Sequence, residues 1–257
     1  MAVVRAARER TGRERGTPRR KATVLYLLAL ALSASGFVKR RSWALLVAGD
    51  QHGEAPATGS PDLVIAADGG LDAARRWRLR VDAVVGDLDS ASEAAMDWAK
   101  RCGATVDAHP ADKDMTDLEL AMARVLEQVD AVHVVLPPGG RLDHAVTNLA
   151  VLASPRWAAL EVSATVGEAH VTVVRGRRRL RGEVGELLSL LAVGGPALVA
   201  STSGLLFPLA EEALSPTSGR GTSNVIVATP PTVDVVEGVV LAIRPTGAVA
   251  GLGLAAL

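Results

Sequence analysis

The sequence predicts an α/β domain with a mostly parallel sheet, followed by an all-β sandwich domain. From residue 43 to about residue 155, short apolar runs alternate with stretches of helical periodicity, a pattern typical of strands joined by crossover helices. After about residue 156 the helical periodicity fades, and apolar runs are separated by Gly, Pro and Ser. With 257 residues and 49% hydrophobic residues, the chain can bury the cores of two such domains.

The first half contains four apolar runs that predict strands buried on both faces, at residues 43–49, 62–70, 82–90 and 131–140. Helices are predicted between them, at residues 71–79, 91–102 and 116–129. The last helix is the clearest, because Thr116 and Glu119 form a capping box. In the second half, strands are predicted at residues 160–166, 169–176, 186–193, 197–202, 223–229 and 238–243.

We therefore place an α/β domain at residues 42–155 and a β-sandwich domain at residues 156–257. Residues 1–41 are set apart, because they carry 11 basic and 2 acidic residues and a short apolar run at residues 23–36. Three interpretations stay open for this segment: a disordered extension, a start codon placed too far upstream, or an export signal, for which Arg19 and Arg20 suggest a twin-arginine type.

Composition narrows the classes of function. From residue 42 onward the chain has 17 basic and 26 acidic residues, which argues against a nucleic-acid-binding surface and leaves negative charge that a metal ion would offset. Cys102 is the single cysteine of the sequence, so an intramolecular disulfide and a Cys-based zinc site are excluded, and a cytoplasmic location is expected. The P-loop motif is absent, and the predicted strand ends lack the G-x-G-x-x-G fingerprint of dinucleotide-binding folds.

Acidic residues and glycine pairs lie at or just past the carboxyl ends of the predicted strands, at the sheet edge where α/β proteins bind ligands. These positions are Asp68 in ADGG, Asp87 and Asp89 in GDLDS, and Arg141 and Asp143 after Gly139 and Gly140, with Lys113 and Asp117 at the start of the capped helix. Carboxylate ligands without Cys or paired His favour Mg²⁺ or Ca²⁺ over zinc. Cationic side chains and glycine backbone in the same set would suit phosphate groups.

Each of these motifs also has a simpler explanation. Asp-Gly-Gly is a common turn sequence, and Asp87 and Asp89 could flank a turn with Ser90 as a helix N-cap. Arg141 and Asp143 could form a surface ion pair. The recurrence of four acid-bearing segments at one predicted edge favours a binding site.

Six motifs, in this order, resemble those of the thiamine pyrophosphokinase family. They are ADGG (67–70), GDLDS (86–90), DKDMTDLELA (112–121), GGRLDH (139–144), TSGLLFPL (202–209) and TSN (222–224). Each motif is weak alone, but the set covers about residues 43–245 and spans both predicted domains. The resemblance implies transfer of pyrophosphate from ATP to the hydroxyl of thiamine, giving thiamine diphosphate and AMP. It also implies a homodimer with the active site at its interface.

The resemblance further implies roles for individual residues. In the α/β domain, the acids of the metal and phosphate site would be Asp87, Asp89 and Asp117, with Asp68 beside them. Asp143 would lie at the thiamine end. Lys113 and Arg141 would contact the ATP phosphates, and Ser90 and Thr116 would make minor contacts. Those in the β domain are Ser203, Phe207, Ser223 and Asn224, which would line the thiamine pocket of the neighbouring subunit. Asp117 and Asp143 are both candidates for the general base. One departure is Pro137-Pro138, which removes two backbone donors ahead of GGRLDH.

Two other functions stay open from the sequence. One is a regulatory module that binds thiamine or nucleotide without turnover, and the other is a related pyrophosphokinase with a different alcohol acceptor. For the leading function we expect ATP and thiamine as small-molecule partners and Mg²⁺ as the cofactor, with neither nucleic acid nor a membrane as a partner.

Overall fold

The structure is a computed structural model that describes residues 41–49, 55 and 59–245. The predictions for residues 1–40 lie outside the described residues. Within the described part of the chain, no helix combines the length and the apolar character needed to cross a membrane.

The first half alternates strands and helices as predicted, and it has one further helix, at residues 142–152, that was not predicted. Its elements are β1 (Trp43–Ala48), β2 (Leu63–Ala67), α1 (Gly70–Arg76), β3 (Ala83–Gly86), α2 (Glu93–Arg101), β4 (Thr105–Ala108), α3 (Asp117–Val125), β5 (Ala131–Leu136) and α4 (Leu142–Leu152). Helix α3 ends four residues before the predicted boundary. Strand β4 was not predicted, because it is an edge strand with largely exposed residues and lacks an apolar run.

The second half is almost entirely β-structure. A short 3₁₀ helix (Pro155–Trp157) leads into β6 (Glu161–Val166), β7 (Ala169–Arg179), β8 (Leu187–Ala192), β9 (Ala197–Ser203), β10 (Ala210–Leu214), β11 (Asn224–Val225) and β12 (Thr232–Arg244). The run at residues 223–229 forms a strand of only two residues, and β10, with two glutamates among its five residues, was not predicted. The predicted class, an α/β part followed by a β-rich part, is confirmed.

One continuous sheet joins the two halves, in the order β10-β9-β12-β7-β6-β5-β1-β2-β3-β4. The six strands β1 to β6 are all parallel to one another. Strand β7 pairs with β6 in the antiparallel direction. Since β6 extends the parallel part beyond residue 155, the sheet crosses the predicted domain boundary without interruption. The domain limits 42–155 and 156–257 therefore stay a prediction, and they do not correspond to a break in the sheet.

Strand β12 connects the sheet to a second layer. It pairs with β7 along its length, with β9 through its first half and with β8 through its second half, and its register shifts between Val235 and Val240. Strand β11 pairs with β8. The side chains enclosed by these strands, among them Leu188, Leu190 and Ile226, form a core of their own.

Helices cover both faces of the parallel part, which explains why its strands are apolar throughout. Met122 and Val125 of α3 pack on one face in the same core as Leu46. Leu71 of α1 packs on the other face. Helix α1 approaches β1 closely, because a Cβ added at Gly70 would lie 2.0 Å from the carbonyl oxygen of Val47.

Candidate active site

Three carboxylates meet at the carboxyl ends of β2 and β3. Asp68 directly follows β2, and Asp87 and Asp89 follow β3; one oxygen of each lies within 4.8 Å of the others. The backbone N–H of Asp68 donates to the carbonyl of Val85 at 2.9 Å, which fixes the two strand ends side by side. The structure thus brings these three predicted residues together at one edge of the sheet.

Ser90 connects the loop after β3 to the end of β2. The backbone N–H of Ser90 donates to Asp68 Oδ1 at 3.1 Å, and its hydroxyl donates to Asp89 Oδ1 at 2.8 Å. The alternative that Ser90 caps a helix is wrong. The N-cap of α2 is Ser92, whose hydroxyl accepts from the N–H of Ala95 at 3.2 Å.

Lys113 joins the three acids to the start of α3. Its ammonium lies 3.0 Å from Asp117 Oδ1 and 3.5 Å from Asp87 Oδ2, and its side chain is only 14% exposed. Burial works against the charged form of Lys113, but the two carboxylates outweigh it and raise the pKa of the amine. Lys113 therefore carries a positive charge at neutral pH, between the carboxylates of Asp87 and Asp117.

Gly86 allows this close arrangement. It has a φ of +140°, and a Cβ at this position would lie 3.0 Å from Asp117 Oδ1 and 3.3 Å from Asp68 Cβ. A side chain here would be strained by this φ and would press on the carboxylate of Asp117, so glycine lets the acids lie this close together.

Thr116 caps α3 as the sequence predicts. Its hydroxyl accepts from the N–H of Glu119 at 3.2 Å, and Glu119 Oε2 accepts from the N–H of Thr116 at 2.9 Å. The helix therefore starts at the acidic edge with Asp117 in its first turn, where the helix dipole favours negative charge.

Most of these residues line a cavity of about 720 Å³, a size typical of small-molecule sites, whereas Asp89 and Ser90 do not. One wall holds Asp68, Asp87, Lys113 and Asp117, and the opposite wall is the loop with Gly139 and Gly140 and the start of α4. The second wall also contributes Arg141, Asp143, His144, Thr147 and Asn148. Sequence reasoning missed the last two. A helix prediction for residues 142–152 would have found them, because they lie three and four residues after His144 on one helical face.

The two prolines before Gly139 pack against glycines of neighbouring segments. Pro137 packs against Gly49, where an added Cβ would lie 3.1 Å from its ring, and Pro138 packs against Gly167, where the distance would be 2.5 Å. A Cβ added at Gly139 or Gly140 would meet nothing within 4 Å. The prolines thus hold the loop from behind while its glycine pair stays open on the cavity side.

Arg141 and Asp143 contact each other at the rim of the cavity. The guanidinium makes two hydrogen bonds to the carboxylate, at 3.2 and 2.6 Å, and both side chains are largely exposed. The hydrogen bonds from Arg141 lower the pKa of Asp143 to about 2, and the pKa of Arg141 is raised in return. The surface ion pair considered from the sequence is present, at a position that also lines the cavity.

The residues predicted in the β domain lie elsewhere, because none of Ser203, Phe207, Ser223 and Asn224 lines this cavity. Asn224 is 2% exposed, and its side chain donates to the carbonyl of Phe207 at 2.7 Å and accepts from the N–H of Phe207 at 3.0 Å. These bonds hold the backbone of Phe207, and the residue is 56% exposed.

Two family models match the chain. The model described as the thiamin pyrophosphokinase catalytic domain matches residues 57–164, and the one described as the thiamin pyrophosphokinase vitamin B1 binding domain matches residues 177–240. Together they cover about two thirds of the 257 residues. No curated protein matched the chain.

Solved structures share the fold. A thiamine pyrophosphokinase from Bacillus subtilis is 22% identical, with a TM-score of 0.70 over 80% of this chain and 99% of that chain. Yeast thiamin pyrophosphokinase is 16% identical, with a TM-score of 0.64 over 81% and 87% of the two chains. The corresponding protein of Candida albicans is 14% identical, with a TM-score of 0.64 over 79% and 89%. At these identities the structural similarity establishes the fold alone. The two family models, which together match about two thirds of the chain, establish the family.

Proposed function

Since the chain belongs to the thiamin pyrophosphokinase family and pyrophosphorylates thiamine with ATP, we propose that the cavity between Lys113 and the glycine pair is where this reaction occurs. The observation that carries the proposal is the convergence of Asp68, Asp87 and Asp89 beside Lys113, facing a loop with two open glycines.

The three clustered acids fit Mg²⁺. They offer only oxygen ligands, and the spacing of their oxygens, within 4.8 Å, suits ligands of one small cation. When bound, Mg²⁺ would neutralise charge on the phosphates of ATP. We propose Asp68, Asp87 and Asp89 as the holding residues. The role of Asp117 as a ligand, suggested by the resemblance, stays a prediction, and its contact with Lys113 supports a second role in orienting that amine.

The chain's own residues supply positioning and charge. The hydroxyl of thiamine attacks the β-phosphorus of ATP in line while AMP leaves, so the protein mainly aligns the reactants. Lys113, held by two carboxylates, would meet phosphate oxygens from one wall. Arg141 and the backbone at Gly139 and Gly140 would meet them from the other.

Asp143 is a weak base while Arg141 contacts it, because its pKa is about 2. ATP phosphates that draw Arg141 away would return the pKa of Asp143 towards its ordinary range. This coupling supports Asp143 as a general base that becomes competent once ATP is bound, although Asp117 is the other candidate.

We also propose that the site is completed by a second copy of the chain in a homodimer. The exposed ring of Phe207 supports this, as do Leu142 and Val146, which are 77% and 60% exposed on α4 next to the cavity. A partner's β domain would cover these side chains and bring Phe207 to the cavity with its ring free to stack on thiamine. A cytoplasmic location stays a prediction from the sequence.

The nucleotide product tests the reaction. Purified protein with ATP, Mg²⁺ and thiamine should release AMP, not ADP, and only when thiamine is present. ADP formation would contradict the proposal, and binding of thiamine without turnover would favour the regulatory module. Faster AMP release with another alcohol would identify a different acceptor.

Mixing two inactive variants tests the shared site. If each site needs two chains, Asp89→Asn mixed with Phe207→Ala should regain roughly a quarter of wild-type activity, through heterodimers with one intact site. No recovery after co-refolding, or a monomer in ultracentrifugation, would place the whole site within one chain.

A further inference from the structure

A second cavity lies beside the amino end of β6, whereas the catalytic cavity lies at the carboxyl ends of the parallel strands. Its volume is about 200 Å³, and it shares no lining residue with the catalytic cavity. Its walls come from residues 158–160, which lead into β6, and from β7. The charged residues in these walls are Glu161, Arg175, Arg177 and Arg178.

The single acid in the walls is already neutralised. Glu161 lies 2.6 Å from Arg178 and also pairs with Arg41. Burial raises the pKa of Glu161, but the two guanidinium groups outweigh it and the pKa is lowered, so this carboxylate is ionised. The cavity therefore keeps the charge of the other two arginines uncompensated.

Neither Arg175 nor Arg177 makes an ion pair within the described part of the chain. Asp234 stands opposite Arg177 in the β7–β12 ladder but does not come within ion-pair distance. Arg175 donates from Nη2 to the carbonyl of Ser154 at 2.8 Å, whereas its Nε is buried without a hydrogen-bond partner. Because Nε is shielded from solvent, an anion in the cavity would stabilise Arg175 through the charge of its guanidinium rather than through a hydrogen bond to Nε.

We propose that this cavity binds a small dianion, a phosphate group that is either free or part of a phosphomonoester, through Arg175 and Arg177. A guanidinium can offer two parallel N–H donors to phosphate oxygens, which a single ammonium cannot do. The anchored position of Arg175 means that little side-chain freedom is lost on binding. Because the cavity is remote from the carboxyl ends of the strands, an anion here would not compete with ATP for the same contacts.

Isothermal titration of the full chain with inorganic phosphate tests the proposal, at constant ionic strength and without Mg²⁺, ATP or thiamine. We expect saturable binding that Arg177→Gln weakens at least about tenfold. Arg179→Gln is the matched control, because it removes the same charge from the same strand but does not line the cavity. It should change the affinity less than about twofold.

Arg175→Gln should weaken phosphate binding by at least as much, and its melting temperature is measured alongside because Arg175 is half-buried. Arg177 is exposed, so its variant keeps the test valid if the other fails to fold. Glycerol phosphate distinguishes the two sources: binding as tight as that of inorganic phosphate supports a phosphomonoester, and weaker binding supports the free ion.

Three outcomes would overturn the site: no saturable phosphate binding by the wild type, equal weakening by Arg179→Gln, or weakening by Arg141→Gln in place of Arg177→Gln. The last result would place the phosphate in the catalytic cavity. None of these measurements depends on turnover, so failure of this site and failure of the proposed reaction are separate results.

Discussion

Acidic residues flank both ends of the parallel strands, and the two sets are used differently. At the amino ends, Asp62, Asp82 and Asp130 precede β2, β3 and β5, and each accepts a hydrogen bond from a backbone N–H that starts the neighbouring strand. These bonds are Trp43 N to Asp62 at 3.0 Å, Val64 N to Asp82 at 2.9 Å and Ser42 N to Asp130 at 3.0 Å. At the carboxyl ends, Asp68, Asp87 and Asp89 face one another.

The difference follows from strand direction. An acid at the amino end meets a backbone donor of the adjacent parallel strand and completes the ladder, so its charge is used for stability. An acid at the carboxyl end lies beside other acids, and Lys113 offsets only part of their negative charge, so a bound metal ion would relieve the remaining repulsion. Position relative to the strand, more than residue type, therefore separates structural acids from site acids in this protein.

Replacement of a site acid tests the carboxyl-end set and should give the largest effect. Asp89→Asn should lower turnover roughly 10²- to 10³-fold, because one charged ligand position is lost. Its melting temperature without metal should be unchanged or higher, since the substitution relieves repulsion. Turnover by AMP release and calorimetric melting check both parts. A large loss of stability with near-normal turnover would mean that Asp89 is structural.

Magnesium should stabilise the folded protein. At a concentration about 100 times its Kd, binding to the native state alone adds about 2.7 kcal/mol to the free energy of unfolding. Melting with Mg²⁺ and with a chelator measures this shift. Asp87→Asn should remove most of the shift, and Asp62→Asn, at the amino ends, should keep it. An equal shift in all three proteins would place the metal elsewhere.

Replacement of a structural acid should give the reverse pattern at a smaller scale. Asp82→Ala leaves the N–H of Val64 without its acceptor and should cost about 1–2 kcal/mol of unfolding free energy, measured by urea denaturation. Turnover below the denaturation range should stay within about twofold, because Asp82 does not line the proposed catalytic cavity. Loss of turnover without loss of stability would erase the distinction between the two edges.

The sequence predicts most of the α/β half, because strands buried on both faces are continuous apolar runs. It fails for β4 and β10, which carry polar residues at or near sheet edges, and no local pattern signals that β6 continues the parallel sheet. For the site, the acids are predictable because they follow strands. The double contact of Lys113 is not predictable, because it depends on how closely α3 approaches β3.

The β-domain residues show a different limit. A resemblance can assign Phe207 and Asn224 to one pocket, and the structure finds them in direct contact. The sequence cannot tell whether these residues contribute to the cavity of their own chain or to that of a second copy. That question depends on assembly, which the mixing experiment addresses.

His133 gives the smallest expected effect, and it lies in the middle of β5, away from both edges. Its ring nitrogens lie 2.9 Å from Ser163 Oγ and 2.9 Å from Thr165 Oγ1. Burial lowers the pKa of His133 from 6.5 to about 4, with smaller contributions from His170 and Arg181. Because the folded state disfavours the imidazolium, the unfolded chain binds the extra proton as the pH falls below 6.5. The free energy of unfolding should then decrease, by less than about 1 kcal/mol between pH 7.5 and pH 6 and by more towards pH 4.

His133→Gln isolates this contribution, because it keeps hydrogen-bonding groups near the two hydroxyls and removes the titrating ring. The stability difference between the variant and the wild type should therefore change with pH across this range, in favour of the variant at lower pH. Parallel stability curves would show that the protonation of His133 is not coupled to unfolding. The acids at both edges titrate in both proteins, so their contributions cancel in the comparison.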